Sequence, residues 1–450
     1  TAMKTNDKRI PFTEKDGFKS VAASILCILG GMLVGFAVLL GLAITSSDIN
    51  ISEAFQGLLI ILGGPFAAGN TKDILFQLGD MLLEAAPLLM TGLSVAVAFK
   101  TGLFNIGAPG QYLIGATTSL LVALSVPTTP ATSFFVWLLA FAAGILSGMV
   151  WGAIPGFFKA VFNVNEVIVC IMTNWIAANL VSWIFYLTGD SFVNIAETKT
   201  KFIRKTITNG VATPKLGLDK LFPGSHIDIS LFIAILFAIF IYILMNKTTF
   251  GYELKACGFN KNGAKYAGMN EKRNIILSMM IAGGLAAGGA ALWYLNGEND
   301  FLWNTYNSLP SEGFNGIPVA LLASNNPIGV IFSSLFLRYI GKGGFNLAGY
   351  TAFNEYVSDL IVAVIIYFAG FSKIIKEFIT ARQAKKANKK QGSAPEGLTE
   401  VKADELTEAK GSADAETDNQ TDIKADIKTD TSESTEPNDK SEAKEDEVNN

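Results

Sequence analysis

The chain has 450 residues, half of them hydrophobic and only 16% charged, with a formal net charge of −4 and a mean hydropathy of +0.37. Soluble proteins carry about 25% charged residues, so a string of soluble domains is excluded. The net charge hides a split: residues 391–450 hold 6 Lys, 18 Asp or Glu and no aromatic residue, leaving 29 basic and 21 acidic residues in 1–390. Cys27, Cys170 and Cys257 form no CxxC pair and offer no disulfide framework. His226 is the single histidine, which excludes a His-based zinc site or a relay of several histidines. No G-x-x-x-x-G-K-[ST] occurs, so the chain does not cradle a nucleotide as P-loop ATPases do.

A helix that crosses a membrane needs about 20 mainly apolar residues. In chain order such runs are 21–44, 78–99, the Gly- and Thr-rich 108–126, 132–154, 167–187, 229–245, 275–295 and 357–375. The first run is too long for a cleavable signal peptide. Residues 51–68 contain Gly63-Gly64-Pro65 and read as an interfacial segment on the outer side. Residues 314–341 are broken by Ser324-Asn325-Asn326-Pro327 and read as two short helices, 314–324 and 326–341, or as a re-entrant segment. Gly31…Gly35, Gly144…Gly148…Gly152 and Gly284…Gly288 permit close helix packing.

Lys and Arg set the orientation. Lys4, Lys8, Arg9, Lys15 and Lys19 place the N-terminus in the cytoplasm. Lys100, Lys159, the basic loop 246–274 and the cluster from Lys373 to Lys390 fall on the same side. The loop 188–228 falls outside, as a plain connector or a rest for an external partner, and so does 297–312, which has no Lys or Arg. This alternation requires ten spans and places Arg338 and Lys342 at the outer side. The expected fold is therefore all-α: a polytopic membrane protein with about 8–10 transmembrane helices, some broken or re-entrant. Residues 1–20 form a basic cytoplasmic N-terminus, 21–380 the transmembrane domain, and 381–450 a cytoplasmic tail, disordered from about 391 because it has too little apolar surface to fold.

Three stretches carry polar or irregular chemistry. Gly102-Leu103-Phe104-Asn105-Ile106-Gly107-Ala108-Pro109-Gly110-Gln111 lies between two apolar runs. Its glycines and proline interrupt a helix, and open backbone groups at membrane depth are tolerated only where protein buries them or a wet cavity receives them. Asn105 and Gln111 add amide donors and acceptors. A broken helix beside a solute path and a tight cytoplasmic turn both fit. In Asn165–Trp175, offsets of four, seven and eight put Glu166, Cys170, Thr173 and Asn174 on one helical face. Asn174 lies about two turns into the span, where it suits a polar solute or a hydrogen bond between helices, and Glu166 suits a helix terminus. The third stretch, 248–270, has short helical pieces separated by Gly, with positive charge from Lys255, Lys261 and Lys265, and its Gly and Ala spacing lets another surface approach closely.

Absences discriminate further. Asp80, Glu84 and Asp359 fall toward span ends, leaving almost no carboxylate near a midpoint, which argues against a carrier driven by an ion gradient. No nucleophile–base pair or metal cluster marks an enzyme or a metal site.

On these stretches the chain resembles the permease subunits of bacterial ABC importers of the ribose and branched-chain amino-acid group, and within it the nucleoside permeases. Their G-L-F-N-I-G-x-x-G-Q-x-L-I-G-A is matched by Gly102–Ala116, and N-E-V-I-x-x-x-M-x-N-x-I-A by Asn165–Ala177. Their cytoplasmic T-x-x-G-x-x-[LF]-[RK]-A-x-G-x-N-x-x-A-A-x-x-x-G-[IM] is matched by Thr248–Met269, and G-F-[DN]-G-I-A-V-A-L-L by Gly313–Leu322. Pro109 replaces the usual Glu, Lys255 the usual Arg, Gly263-Ala264 an Ala pair and Pro318 an Ala; the acidic tail is no part of the family core.

The resemblance implies a permease that is not itself an enzyme and takes up nucleosides, with a pentose or a branched-chain amino acid as the alternative solute. It implies a second homologous permease, a double-domain ABC ATPase that carries the ATP and Mg, a lipid-anchored solute-binding protein outside, and no cofactor on this chain. The setting is the bacterial cell membrane, with both termini cytoplasmic and no nucleic-acid partner. Asn105, Gln111, Asn174 and Asn315 become candidates for the substrate path, with Glu166 and Thr173 as polar positions on the same helix face as Asn174. Gly251, Lys255, Ala256, Gly258, Asn260, Ala264, Ala267 and Gly268 become the ATPase-coupling loop.

Truncation after Lys390 is expected to leave membrane insertion and solute uptake intact, since the acidic segment has no apolar contacts to lose. A truncated chain that inserts normally but transports at less than about half the full rate would show that the tail has a role.

Overall fold

The computed structural model describes residues 16–46, 49–194, 202–303 and 309–391. Lys4, Lys8, Arg9 and Lys15 and the acidic segment 392–450 lie outside the described residues. The described residues up to 386 form one compact unit. The helices run α1 (Asp16–Thr45), α2 (Ile51–Gly63), α3 (Thr71–Lys100), α4 (Ala108–Ser125), α5 (Ser133–Phe162), α6 (Glu166–Leu187) and the single turn α7 (Leu218–Leu221). They continue with α8 (Ser230–Lys247), α9 (Thr249–Phe259), α10 (Lys261–Tyr266), α11 (Glu271–Tyr294), α12 (Ser311–Leu322), α13 (Pro327–Tyr350), α14 (Glu355–Ala369) and α15 (Ser372–Gln391). Two short strands, β1 (Phe202–Ile203) and β2 (Phe301–Leu302), pair antiparallel with Phe202 opposite Leu302.

The all-α polytopic architecture is present. Residues 21–45 of α1 and helices α3, α5, α6, α8 and α11 are each long and apolar enough to cross a membrane. The pair α12 and α13, bent by 119° at 323–326, adds a seventh if it is one span. The break falls at Ser324-Asn325-Asn326, as the sequence predicts, with Ser324 and Asn325 both at positive φ. The twelve residues of α12 reach only about 18 Å, short of a hydrocarbon core of about 30 Å. Residues 314–324 are thus a half-length arm rather than the full crossing expected.

Small residues decide the centre. Gly144, Gly148 and Gly152 of α5 lie against Ala291, Gly283 and Ala287 of α11, and a Cβ on Gly148 would stand 2.1 Å from that of Ala287. Such contacts bring the two backbones together without bulky side chains between them. Helix α3 is buried along 85–98 and packs on α11, α12, α13 and α8.

The 51–68 run packs against α1 and α13. Ala54 and Ile61 of α2 share a core with Leu39 of α1 and Ile340 and Leu347 of α13. Asn346 donates to Gly64 O at 2.9 Å and to Gln77 Oε1 at 2.8 Å, and Tyr339 Oη donates to Leu62 O at 2.8 Å.

The two ends of the bundle differ. At one end Lys100, Asn246 and Asn326 line a single cleft, Ser24 donates to Leu322 O at 2.7 Å and Ser372 to Leu321 O at 3.2 Å. The loop 202–229 is tied down over the other end. Trp137 donates to Thr213 Oγ1 at 2.9 Å, Asn209 to Ala123 O at 2.7 Å, and Asn296 to Asp228 Oδ2 at 2.7 Å. Burial raises the pKa of Asp228 from its ordinary value, against the pull of hydrogen bonds from Ser230 and Asn296. Arg338 and Lys342 do not sit in an outer loop. They lie within α13, with Lys342 Nζ 2.8 Å and Arg338 Nη1 3.8 Å from the Glu84 carboxylate of α3. Helix α3 begins at Thr71, so Glu84 falls well inside it rather than near its end.

Gly148→Leu is expected to abolish the α5–α11 contact. Overpacking usually costs about 1–3 kcal/mol, and here the obstacle includes Gly283 backbone, which cannot rotate away. The variant should fail to yield a monodisperse detergent-solubilised protein, whereas Leu146→Ala on the exposed face of α5 should elute normally; equal behaviour would refute this packing account.

Candidate functional site

Three of the four sequence stretches singled out above meet in space. The turn 101–107 leaves α3 at Lys100 and enters α4 at Ala108, with Leu103 and Asn105 fully buried. It starts with a helix-ending glycine, Gly102 at φ +71°, and Pro109 follows in the first turn of α4, where its missing N–H costs nothing. Asn105 and Gln111 pair their amides reciprocally: Asn105 Nδ2 donates to Gln111 Oε1 at 2.8 Å, and Gln111 Nε2 to Asn105 Oδ1 at 3.0 Å. Asn105 also donates to Ser94 Oγ at 3.0 Å.

Asn174 of α6 completes the junction. Its Oδ1 accepts from Gly110 N at 2.9 Å, and its Nδ2 donates to Ile106 O at 2.9 Å. One side chain thereby satisfies a helix-start N–H and a turn carbonyl that have no regular partner. Gly110 must be glycine for this, because a Cβ there would stand 2.7 Å from Asn174 Oδ1. Thr173 donates to Cys170 O of its own helix at 3.0 Å, and Glu166, in the first turn of α6, pairs with Lys159 at 2.9 Å.

Helices α9 and α10 form the compact element expected of 246–274. Thr248 caps α9 by accepting from Gly251 N at 3.0 Å, Asn260 caps α10 by accepting from Gly263 N at 2.9 Å, and Asn270 caps α11 by accepting from Arg273 N at 3.1 Å. Gly251 sits against the last turn of α8, where a Cβ would be 2.0 Å from Leu244 O. Gly258 does not face outward. It lies on Gly102, and a Cβ on Gly258 would be 2.5 Å from the Thr101 carbonyl carbon. The close approach that glycine permits is therefore made within this chain. Asn274 of α11 ties the same helix down, donating to Glu253 Oε2 at 3.3 Å and Cys257 Sγ at 3.4 Å. The Thr101 and Ser278 hydroxyls join the turn to α11.

Ala264 is buried, Ala267 and Gly268 are exposed, and Ala256 and Lys255 are half-buried, with Lys255 donating to Asn246 Oδ1 at 3.3 Å. The sequence reading passed over two aromatics here. Phe259 and Tyr266, at the ends of α9 and α10, are 95% and 94% exposed. Their only signal was an aromatic residue at each helix end of a basic loop. Beside them Lys247, Tyr252, Glu253 and Arg273 line an open cleft between α8, α9 and α11.

The fourth stretch also joins. Gly313 of α12 lies on Pro109, and Gly316 lies on Thr91 of α3, each with a Cβ position 2.5 Å from neighbouring backbone. Asn315 is half-buried between these two glycines in sequence and takes no part in the amide network. Asn105, Gln111 and Asn174 thus gather at one buried place, and Asn315 stands apart.

Residues 77–370 match the family described as the branched-chain amino acid transport system permease component. The chain belongs to this permease family. It is 32% identical over 381 residues to the nucleoside ABC transporter permease protein NupB of Lactococcus lactis subsp. cremoris, covering 83% of this chain and 98% of that one. It is 32% identical over 313 residues to the guanosine ABC transporter permease protein NupP of Bacillus subtilis, covering 69% and 86%. A second guanosine permease protein of that organism, NupQ, is 26% identical over 264 residues, covering 57% and 78%. No solved structure matches the chain. A permease of this family is a multi-pass membrane subunit, which accords with the six long apolar helices.

Asn174→Leu strands the Gly110 N–H and the Ile106 carbonyl in the protein interior. Each unsatisfied buried group costs about 1–3 kcal/mol. The thermal midpoint of the purified permease should fall by several degrees, and by clearly more than for Thr173→Val. Equal midpoints for the two variants would show that Asn174 holds nothing together.

Proposed function

We propose that this permease carries nucleosides across a bacterial cell membrane as part of an ATP-driven importer. The observation that carries the solute class is the similarity to NupB and NupP, extending over 98% and 86% of those chains. Two guanosine permease proteins of one organism resemble this chain, which supports a second, homologous permease beside it. A double-domain ATPase binds the ATP and Mg, and this chain needs no cofactor of its own. A lipid-anchored binding protein hands over solute at the end capped by 202–229. Both termini are cytoplasmic, and so are Lys100 and α9–α10.

The geometry supports a particular coupling route. The ATPase pushes on α9 and α10, whose exposed Phe259 and Tyr266 suit the anchoring role that buried aromatics play in interfaces. The push passes through the Gly258–Gly102 contact into the turn 101–107, and through Asn174 into α6. Through Asn274 and Ser278 it reaches α11. Asn105, Gln111 and Asn174 serve in this route as the hydrogen bonds that keep the turn rigid, rather than as solute ligands.

The reading is tested by uptake of labelled guanosine, ribose and leucine into cells with and without the chain. Loss of guanosine uptake alone on deletion is expected; loss of ribose or leucine uptake instead would assign the alternative solute. Phe259→Ala with Tyr266→Ala should leave the permease inserted yet remove most ATPase from the affinity-purified complex. Full co-purification and full uptake in the double variant would take α9 and α10 out of the coupling route.

A further inference from the structure

Helix α6 buries one stripe and exposes another. Cys170, Asn174, Ala177, Ala178, Val181 and Phe185 face α4 and α5. Asn179 stands about 160° round the helix from the centre of that stripe. It lies thirteen residues after Glu166 and eight before Leu187, near the middle of the span. Its side chain is exposed, and its one hydrogen bond is to Trp175 O of its own helix at 2.8 Å. The amide oxygen and the second N–H are open.

Among the described residues, no other helix long and apolar enough to cross a membrane shows this. Among the described residues of α1, α3, α5, α8 and α11, no exposed side chain more than a turn from a helix end carries an amide or a charge. The exposed positions there are such residues as Leu33, Leu146 and Leu236. A polar side chain in a span is costly against lipid and faces a cavity or a partner. The neighbours of Asn179 separate those two choices. Met172, Trp175, Trp183 and Tyr186 share its face and are 62%, 42%, 58% and 74% exposed. Helices that dock closely in membranes use small residues, as α5 and α11 do here. This stripe has none, and its bulk and rings suit a gap that opens and closes around a planar solute.

We propose that the outward face of α6 is a wall of the solute path, with Trp175, Trp183 and Tyr186 as stacking surfaces for the nucleobase and the Asn179 amide as its hydrogen-bonding partner. Aromatic faces hold any base, whereas the amide discriminates by donor and acceptor pattern. The assignment of the solute rests on the proposed function above; the assignment of the wall does not.

Thiol labelling tests the wall directly, because Cys27, Cys170 and Cys257 are all buried and free. In the assembled importer, Asn179→Cys should react with a charged methanethiosulfonate reagent, and Leu146→Cys on the apolar face of α5 should not. Saturating guanosine should slow the Asn179→Cys reaction. In uptake, Asn179→Leu should lower the guanosine rate about fivefold or more, the loss of one or two hydrogen bonds, while the second permease still co-purifies. Asn179→Cys no more reactive than Leu146→Cys would overturn the proposal. So would unchanged uptake in Asn179→Leu, and loss of the second permease on that substitution would make the stripe a subunit seam. Absence of guanosine uptake by the wild-type chain would overturn the solute class alone, leaving the labelling to decide the wall.

Discussion

In the seven residues of irregular backbone, 101–107, Thr101, Leu103, Asn105 and Gly107 are buried in the bundle, and polar groups buried there must be satisfied by protein. Water is scarce at such a place and lipid offers nothing. The turn meets the demand from three sources. Leu103 N donates back to Ala98 O at 2.9 Å, the Asn105–Gln111 pair closes on itself, and Asn174 reaches across from α6 to hold both Gly110 and Ile106. The helices on either side can pack as they do only because these groups have partners.

The same turn is where the rest of the molecule converges. Gly258 of α9 rests on Gly102, Ser278 of α11 meets Thr101, and Gly313 of α12 rests on Pro109. Each contact is backbone against backbone or a short hydroxyl pair, with no flexible side chain between. Close-packed contacts of this kind transmit displacement instead of absorbing it. A transporter driven from a separate subunit needs such a stiff connection between the element that is pushed and the helices that move.

Polar and charged side chains are handled in two ways within the long helices. Glu84 is held by Lys342 and Arg338, so one carboxylate faces two cations inside the bundle. Such a triad fixes the register of α13 against α3 as much as it stabilises it, because removing Glu84 leaves both cations unpaired. Asn179 is uncharged and exposed, and its side chain bonds the Trp175 carbonyl of its own helix.

The amino-acid sequence by itself determined the membrane-spanning class, the break at 324–326, the separation of a basic end from the rest and the four stretches that carry the resemblance to the family. These follow from local hydropathy, glycine and proline placement and charge, each readable over a short window. Only the tertiary structure decided what those stretches do to one another. Asn105, Gln111 and Asn174 read both as solute contacts and as structural hydrogen bonds, because an amide in a span looks alike whether it meets a solute or a backbone carbonyl. Gly258 read as a surface for a partner because glycine marks a close approach without naming the approaching atom. Phe259, Tyr266 and Asn179 drew no notice because exposure depends on which helix face the neighbours cover. Gly110 lies 64 residues from Asn174 along the chain, and Gly102 lies farther still from Gly258. No periodicity within one helix can supply that pairing.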